Sequence, residues 1–169
     1  TADLIAAEDT RHTRGLLAHY DIHTPMTSYH EHNKDAKGPE LIARMQAGET
    51  IVCVSDAGLP GIADPGGDLA RRAIAIGVSV TPLPGANAAL SALICAGLPL
   101  EGFTFVGFLP RKEKKRRELL ARVAAYPETL IFYEAPHRLR ETLDALAESL
   151  GRARQACAAR ELTKKFEEF

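Results

Sequence analysis

Three short runs in this chain combine residue types that can hold a ligand as well as turn a corner. Ser55-Asp56-Ala57-Gly58-Leu59-Pro60-Gly61-Ile62-Ala63-Asp64-Pro65-Gly66-Gly67 packs two aspartates, two prolines and four glycines into thirteen residues. Pro84-Gly85-Ala86-Asn87-Ala88-Ala89 is a second glycine turn, and Glu134-Ala135-Pro136-His137 is a third turn that opens on an acid. Glycine allows positive φ and close approach of backbone to a bound molecule. Unbonded amides at a helix start attract carboxylate or phosphate. Turns of this composition also end strands with no ligand present. Three of them, each following an apolar run read as a strand, favour binding.

The composition of the turns narrows the ligand. There is no GxGxxG for a dinucleotide and no GxxxxGK[ST] for a nucleoside triphosphate. The turns carry acid and no lysine, so a polyphosphate would meet repulsion without neutralisation. A positive centre, a small carboxylate and an adenosine suit them better, which describes S-adenosylmethionine: acid or carbonyl oxygens for its sulfonium, amides for its carboxylate.

A second feature is Arg111-Lys112-Glu113-Lys114-Lys115-Arg116-Arg117, six basic residues in seven. Consecutive helical positions point all around the axis, so these charges cannot all serve one packed face. Positive charge near a helix N-terminus opposes the dipole. A solvated helix start is the plain reading; contact with a nucleic-acid backbone compensates the charge and is the functional one. His30-Glu31-His32, and His19 with His23, lack a third ligand fixed by spacing, so no metal site is expected. His137 could contact a ligand or cap its own loop. Cys53, Cys95 and Cys157 lie far apart with no CxxC, and are expected to be small core residues of a reducing compartment.

The elements that must position these groups read as strand, helix, strand, helix. Leu4–Ala7, Thr50–Val54, Val78–Leu83, Phe103–Leu109, Thr129–Tyr133 and Gln155–Ala159 are expected strands. Residues 10–20, with Leu16 and Leu17 inward, form the first expected helix. A second starts at Gly38 with Pro39 in its first turn and stops at Gly48. The third follows the Asp64-Pro65 cap, with Leu69, Ala70, Ala73, Ile74 and Ile76 on its apolar face. Residues 86–96 and 113–126 are expected helices, as is Pro136–Leu150 with Leu139, Leu143, Leu146 and Leu150 on one stripe. Ile22–Asn33 reads as loop with a short strand. This order predicts an α/β fold with a mostly parallel N-terminal sheet covered on both faces. Gly97–Gly102 has turn chemistry and marks a boundary, giving two α/β lobes, 1–98 and 103–169, with a cleft between them.

The chain has 169 residues, 46% of them apolar, and a formal net charge of -1 from 21 basic and 22 acidic side chains. That suffices for a real core and excludes a globally basic nucleic-acid binder, though not a local patch. No window approaches the roughly 20 apolar residues of a membrane span, so no membrane partner and a cytoplasmic location are expected. The opening at Thr1 and the charged closing run Lys164–Phe169 suggest a piece of something longer.

Ser55–Gly67 resembles the signature of the tetrapyrrole-methylase superfamily. The supporting stretches are Ala2–Thr13 (ADLIAAEDTRHT), Leu83–Leu93 (LPGANAALSAL), Gly107–Lys112 (GFLPRK), Leu130–Leu139 (LIFYEAPHRL) and Ala159–Lys164 (ARELTK). They cover essentially the whole chain in order, and within the superfamily they are most similar to a group that methylates a cytidine ribose 2'-hydroxyl of small-subunit ribosomal RNA. Leu59 and Gly61 depart from the family, which often has a small residue at the first and bulkier ones at the second. The resemblance implies a two-lobed class III methyltransferase fold, S-adenosylmethionine in the cleft between lobes, and a homodimer. It implies cofactor contacts from Ser55, Asp56, Ala57 and Gly58, from Pro84, Gly85 and Ala88, and from Leu109, Phe132, Tyr133, Glu134, Ala159 and Leu162. It also implies a further strand before Ala2 and more of the second lobe after Phe169.

Methyl transfer to a ribose hydroxyl needs the oxygen, carbon and sulfur in line and a group to take one proton. Glu134 and then Glu161 are the candidate catalytic acids, and Arg160 could orient phosphate or carboxylate. Glu134 could instead cap the helix after Pro136, and Arg160 could pair with Glu161. Arg111, Lys112, Lys114, Lys115, Arg116 and Arg117 are the candidate RNA contacts, the partner being small-subunit ribosomal RNA or the 30S particle. A methylase of a tetrapyrrole-type small molecule would not need that basic run. A non-catalytic RNA-binding module would make the glycine turns structural.

Overall fold

Leu4-Ile5-Ala6-Ala7 has no polar position and is buried along its length, which only an interior strand allows. In the computed structural model, which describes residues Thr1–Phe169, this strand, β1, lies between β2 (Met26–Ser28) and β3 (Ile51–Val54). Both pairings are parallel, with Ile5 opposite Met26 and Val52. The helices α1 (Thr10–His19) and α2 (Lys34–Gln46) make the two crossovers, and α3 (Gly66–Ala75) follows β3. Leu4 and Ala6 meet Tyr29, Leu41 and Leu69 in a core flanked by Ile42, Met45 and Ile51, so α2 and α3 cover that face.

The chain divides into two units, Thr1–Ala86 and Asn87–Phe169. The second holds α4 (Ala88–Cys95), parallel β4 (Phe103–Phe108) and β5 (Thr129–Tyr133), α5 (Glu113–Val123), and a short 3-10 turn, Pro136–Arg138, leading into α6 (Leu139–Leu150). Leu109, Leu120 and Val123 are its buried centre, packed by Val106, Leu130, Phe132, Ala145 and Leu146. Arg154 ties the loop before β5 to the unit by donating to the carbonyls of Tyr126 (3.1 Å) and Glu128 (2.8 Å). The two-unit α/β architecture with parallel strands is the expected one.

Several elements differ from expectation for identifiable reasons. Val78–Leu83 joins no sheet. Pro82 offers no amide, and the segment and the unpaired side of β3 instead line a cleft of about 610 Å³. Gln155–Ala159 is not a strand either. Helix α2 starts at Lys34, with Pro39 in its interior; the carbonyl that Pro39 leaves without a partner belongs to exposed Asp35. Leu16, Ile74, Ile76, Leu139 and Leu143 are exposed. Leu69 and Ala73 on α3 and Leu146 on α6 face inward as expected, joined by Thr13 on α1 and Thr142 on α6.

One polar network locks α2, α3 and β2 together. The buried Tyr29 hydroxyl donates to Asp68 (3.4 Å), which also accepts from Arg72 (2.6 Å) and pairs with Arg71. Burial, then the Asp68 charge, pushes the Tyr29 hydroxyl up to about 12. Gly38 on α2 leaves room for the Arg72 guanidinium, which would sit 3.3 Å from an added Cβ. Because Leu41 is completely buried in this core, Leu41→Ala is expected to cost about 2–5 kcal/mol, read as a drop in the urea midpoint at unchanged slope.

Candidate functional site

Parallel pairing sends β1 and β3 out of the first unit at the same end, where the exit loops clasp each other. The Glu8 amide donates to the Val54 carbonyl (3.0 Å), the Asp56 amide to Glu8 Oε2 (3.1 Å) and the Asp9 amide to Asp56 Oδ1 (3.2 Å). Asp9 caps α1 by accepting from the Arg11 amide (2.8 Å) and holds the Arg11 guanidinium at 2.6 Å. Arg11 is the main reason that the Asp9 carboxyl lies far below the usual carboxylate range. His12 Nδ1 stands 3.8 Å from Asp56. This end of the sheet therefore carries Glu8, Asp9 and Asp56 together, with Asp56, Ala57 and Gly58 exposed.

Asp64 shapes the rest of that glycine turn. Its carboxylate accepts from the Gly61 amide at 2.9 Å and from the Gly66 amide at 2.7 Å, so it closes the loop and starts α3 at once. Gly66 is required here: an added Cβ would lie 2.8 Å from Asp64 Oδ1 and 3.0 Å from the Gly61 nitrogen. Gly58, at φ 80, comes so close to the second glycine turn that an added Cβ would lie 3.1 Å from the Ala86 carbonyl oxygen. The turns at Ser55–Gly58 and Pro84–Ala86 are thus brought together, and Pro84, Gly85 and Ala86 are exposed. Beneath them burial, then Asp64, pushes the Cys53 thiol up to about 11, leaving it a protonated packing group.

In the second unit the start of α4 is already partly satisfied. Asn87 accepts from the Leu90 amide (3.0 Å) and the Tyr133 hydroxyl oxygen from the Ala89 amide (3.2 Å). Leu109 and Phe132 point into the core, so a ligand could meet only their backbone. Glu134, with its side chain 6% exposed, accepts from Thr142 Oγ1 (2.6 Å) and the Ala135 amide (2.8 Å), and Arg138 lies at 3.5 Å. Burial pulls its pKa upward; the Thr142 hydroxyl, the Ala135 amide and Arg138 outweigh it and hold the carboxyl below its ordinary value. Nothing in the sequence flagged Thr142, since threonine inside a helix has no motif. Glu8 did have a signal, an acid at a strand's carboxyl end.

The remaining candidates are scattered. Arg160 pairs with Glu168 (2.5 Å), not with Glu161, and Glu161 faces Lys164 at 3.4 Å; both are exposed. Ala159 and Leu162 flank them in irregular backbone, half-buried. Arg111 and Lys112 precede α5, and Lys114, Lys115 and Arg117 are exposed on it, whereas Arg116 is mostly buried and pairs with Glu141 of α6. No helix is long and apolar enough to cross a membrane.

A glycine turn at the carboxyl end of β3, set against a second at Pro84–Ala86, lies where open α/β proteins take their ligands. The family profile described as Tetrapyrrole (Corrin/Porphyrin) Methylases matches residues 1–169, and the chain belongs to that family. It is 55% identical over 168 residues to a protein of Halalkalibacterium halodurans named "Ribosomal RNA small subunit methyltransferase I", covering 99% of the chain. Proteins of that name from Bacillus subtilis and Escherichia coli O157:H7 are 53% identical over 100% of the chain and 50% identical over 98%. In each case the chain spans 58% of the relative's length.

Two outcomes follow from the loop geometry. Asp64→Ala leaves the Gly61 and Gly66 amides without a partner, at about 1–3 kcal/mol, and amide exchange at both glycines is expected to quicken while the β1 amides stay protected. For Glu134, a carboxyl held below its ordinary value stabilises the fold above the unfolded value, 4.5, and loses that contribution as pH falls through the folded one. Urea unfolding between about pH 7 and about pH 3 should show a shallower acid decline for Glu134→Gln than for the parent.

Proposed function

We propose that the chain is part of an S-adenosylmethionine-dependent methyltransferase that modifies a cytidine ribose 2'-oxygen of small-subunit ribosomal RNA. The observation that carries this is likeness along the entire chain, at 47–55% identity, to proteins whose names state methylation of that RNA. The motif resemblance supplies the ribose oxygen and the cytidine, and it supports a homodimer; a ribosomal substrate supports a cytoplasmic location. The exposed basic side chains at the start of α5 favour RNA over a small macrocycle.

The residues present fit the cofactor. Exposed backbone at Asp56–Gly58 and Pro84–Ala86 allows close approach, and Glu8, Asp9 and Asp56 give that end of the sheet the sign a sulfonium needs. When bound, the cofactor supplies a methyl group on a positively charged sulfur. Ser55–Gly58 and Pro84–Gly85 would hold it. Glu134 fixes the β5–α6 loop: both its oxygens are engaged, and a lowered pKa makes it a poor proton acceptor. Glu161, exposed and facing only Lys164, is the better acceptor for the ribose proton, while Arg160 with its partner Glu168 orders the same backbone.

The test is transfer of labelled methyl from S-adenosylmethionine to small-subunit RNA or 30S particles by the full-length protein, with mass mapping of the product. The expected product is a cytidine methylated on its ribose, with Glu161→Gln cutting turnover roughly a hundredfold at unchanged cofactor affinity. Absence of heat on titrating millimolar cofactor, or a methyl group on a tetrapyrrole and none on RNA, overturns the reading.

A further inference from the structure

Parallel pairing in the second unit sends β4 and β5 out at one end, so α5 and the turn leading to α6 start side by side. The Arg116–Glu141 ion pair between them fixes that arrangement. Exposed Arg111, Lys112, Lys114 and Lys115 on one approach and His137 and Arg140 on the other therefore share the carboxyl end of this sheet. The last residue of β4 at that end is Phe108, 53% exposed.

The direction in which Phe108 points is not the default. Along β4, Thr104 and Val106 alternate with Phe103 and Phe105, and Val106 faces the core under α5 and α6. Unbroken alternation would send Phe108 to that covered face. The register shifts between Phe105 and Gly107, and Gly107 has φ 73, a value that strains any side chain. This bulge swings Phe108 onto the opposite face, beside Phe105 and Tyr133. Its ring meets Tyr133 edge-on with centroids 5.5 Å apart, and Tyr133 also meets Phe105 at 5.1 Å. Tyr133 is itself pinned by the Ala89 amide, so Phe108 stands against a fixed support. Bulges that re-aim a side chain gather at functional sites and are rare in parallel pairs.

We propose that Phe108 is a stacking platform for an unpaired RNA base, with the flanking phosphates held by Arg111, Lys112, Lys114 and Arg140. An exposed ring on a rigid sheet beside unpaired positive charge is the combination that binds single strands. The charge favours nucleic acid over a second copy of the chain, whose apolar surface would gain nothing from it. This inference rests on the RNA reading above and names its local target, a single-stranded nucleotide next to the modified one.

The experiment uses the full-length protein and a single-stranded oligoribonucleotide carrying 2-aminopurine, with an RNA duplex of equal length as comparison. Phe108→Leu keeps the apolar bulk and removes the ring; Phe108→Tyr keeps the ring. Phe108→Leu is expected to weaken single-strand binding about tenfold, abolish the stacking quench, and leave the salt slope, the melting temperature and the cofactor affinity unchanged. Phe108→Tyr should behave as the parent, and duplex binding should not respond. Undiminished binding by Phe108→Leu overturns the proposal, as does a loss that tracks a change in oligomeric state, which would mean that protein covers this face. If the parent protein itself binds no single strand at low salt, the RNA reading has failed along with it.

Discussion

Everything at the ligand end of this protein depends on parallel strand pairing. An antiparallel sheet would distribute its turns over both ends; a parallel one must deliver every strand's exit loop to the same end and return the chain through a helix. β1 and β3 therefore place Glu8-Asp9 and Ser55-Asp56 within hydrogen-bond reach although the two loops are far apart in sequence. The same rule puts Leu109–Lys112 and Glu134–Arg138 together in the second unit. Side chains with no sequence relation become neighbours because their strands run the same way.

A second constraint decides what those neighbours do. Each exit loop carries backbone amides that no ladder satisfies, and a buried unpaired amide is costly. Most of the acidic side chains at these ends answer that need first. Asp9 holds Arg11, Asp64 holds Gly61 and Gly66, Asp56 holds Asp9, and Glu134 holds Ala135. Tyr133 and Asn87 do the same for α4. The loops are consequently rigid before any ligand arrives, and what they offer a ligand is mostly backbone and field, with few free carboxylate oxygens.

Legibility in the sequence followed the same division. Leu4–Ala7 and Thr129–Tyr133 were readable because an apolar run between turn signals has little choice but to be a strand. Val78–Leu83 alternates apolar residues with Ser79 and Thr81 as a half-buried strand would, yet a strand also needs a neighbour, and neighbours are not a local property. Pro39 looked like a helix start, but an exposed first turn tolerates the missing hydrogen bond and α2 begins earlier. On α6 the leucine stripe holds at Leu146 but not at Leu139 and Leu143, and the buried position is Thr142, which turns inward to hold Glu134, a polar contact that hydrophobic periodicity cannot register. The glycine turns were found from composition alone; the carboxylates' attachment to nearby amides was not, since one aspartate reads the same whether it faces a ligand or its own loop. The bulge at Gly107 left no trace beyond a glycine in a strand.

The near-zero net charge conceals an asymmetry that the fold makes useful. The carboxyl end of the first unit's sheet is acidic, with Glu8, Asp9 and Asp56 gathered there, while that of the second unit is basic, with five exposed cationic side chains between Arg111 and Arg117. Charges of one sign gathered at one end of a sheet act over several ångströms and attract the opposite sign before contact is made. A cationic methyl donor and a polyanionic acceptor need opposite fields. A uniformly basic protein would bind RNA and repel the donor; a uniformly acidic one would do the reverse. On the proposed function, placing the two signs on separate sheets of one chain would suit both ligands, and a near-zero net charge is a poor guide to such local fields.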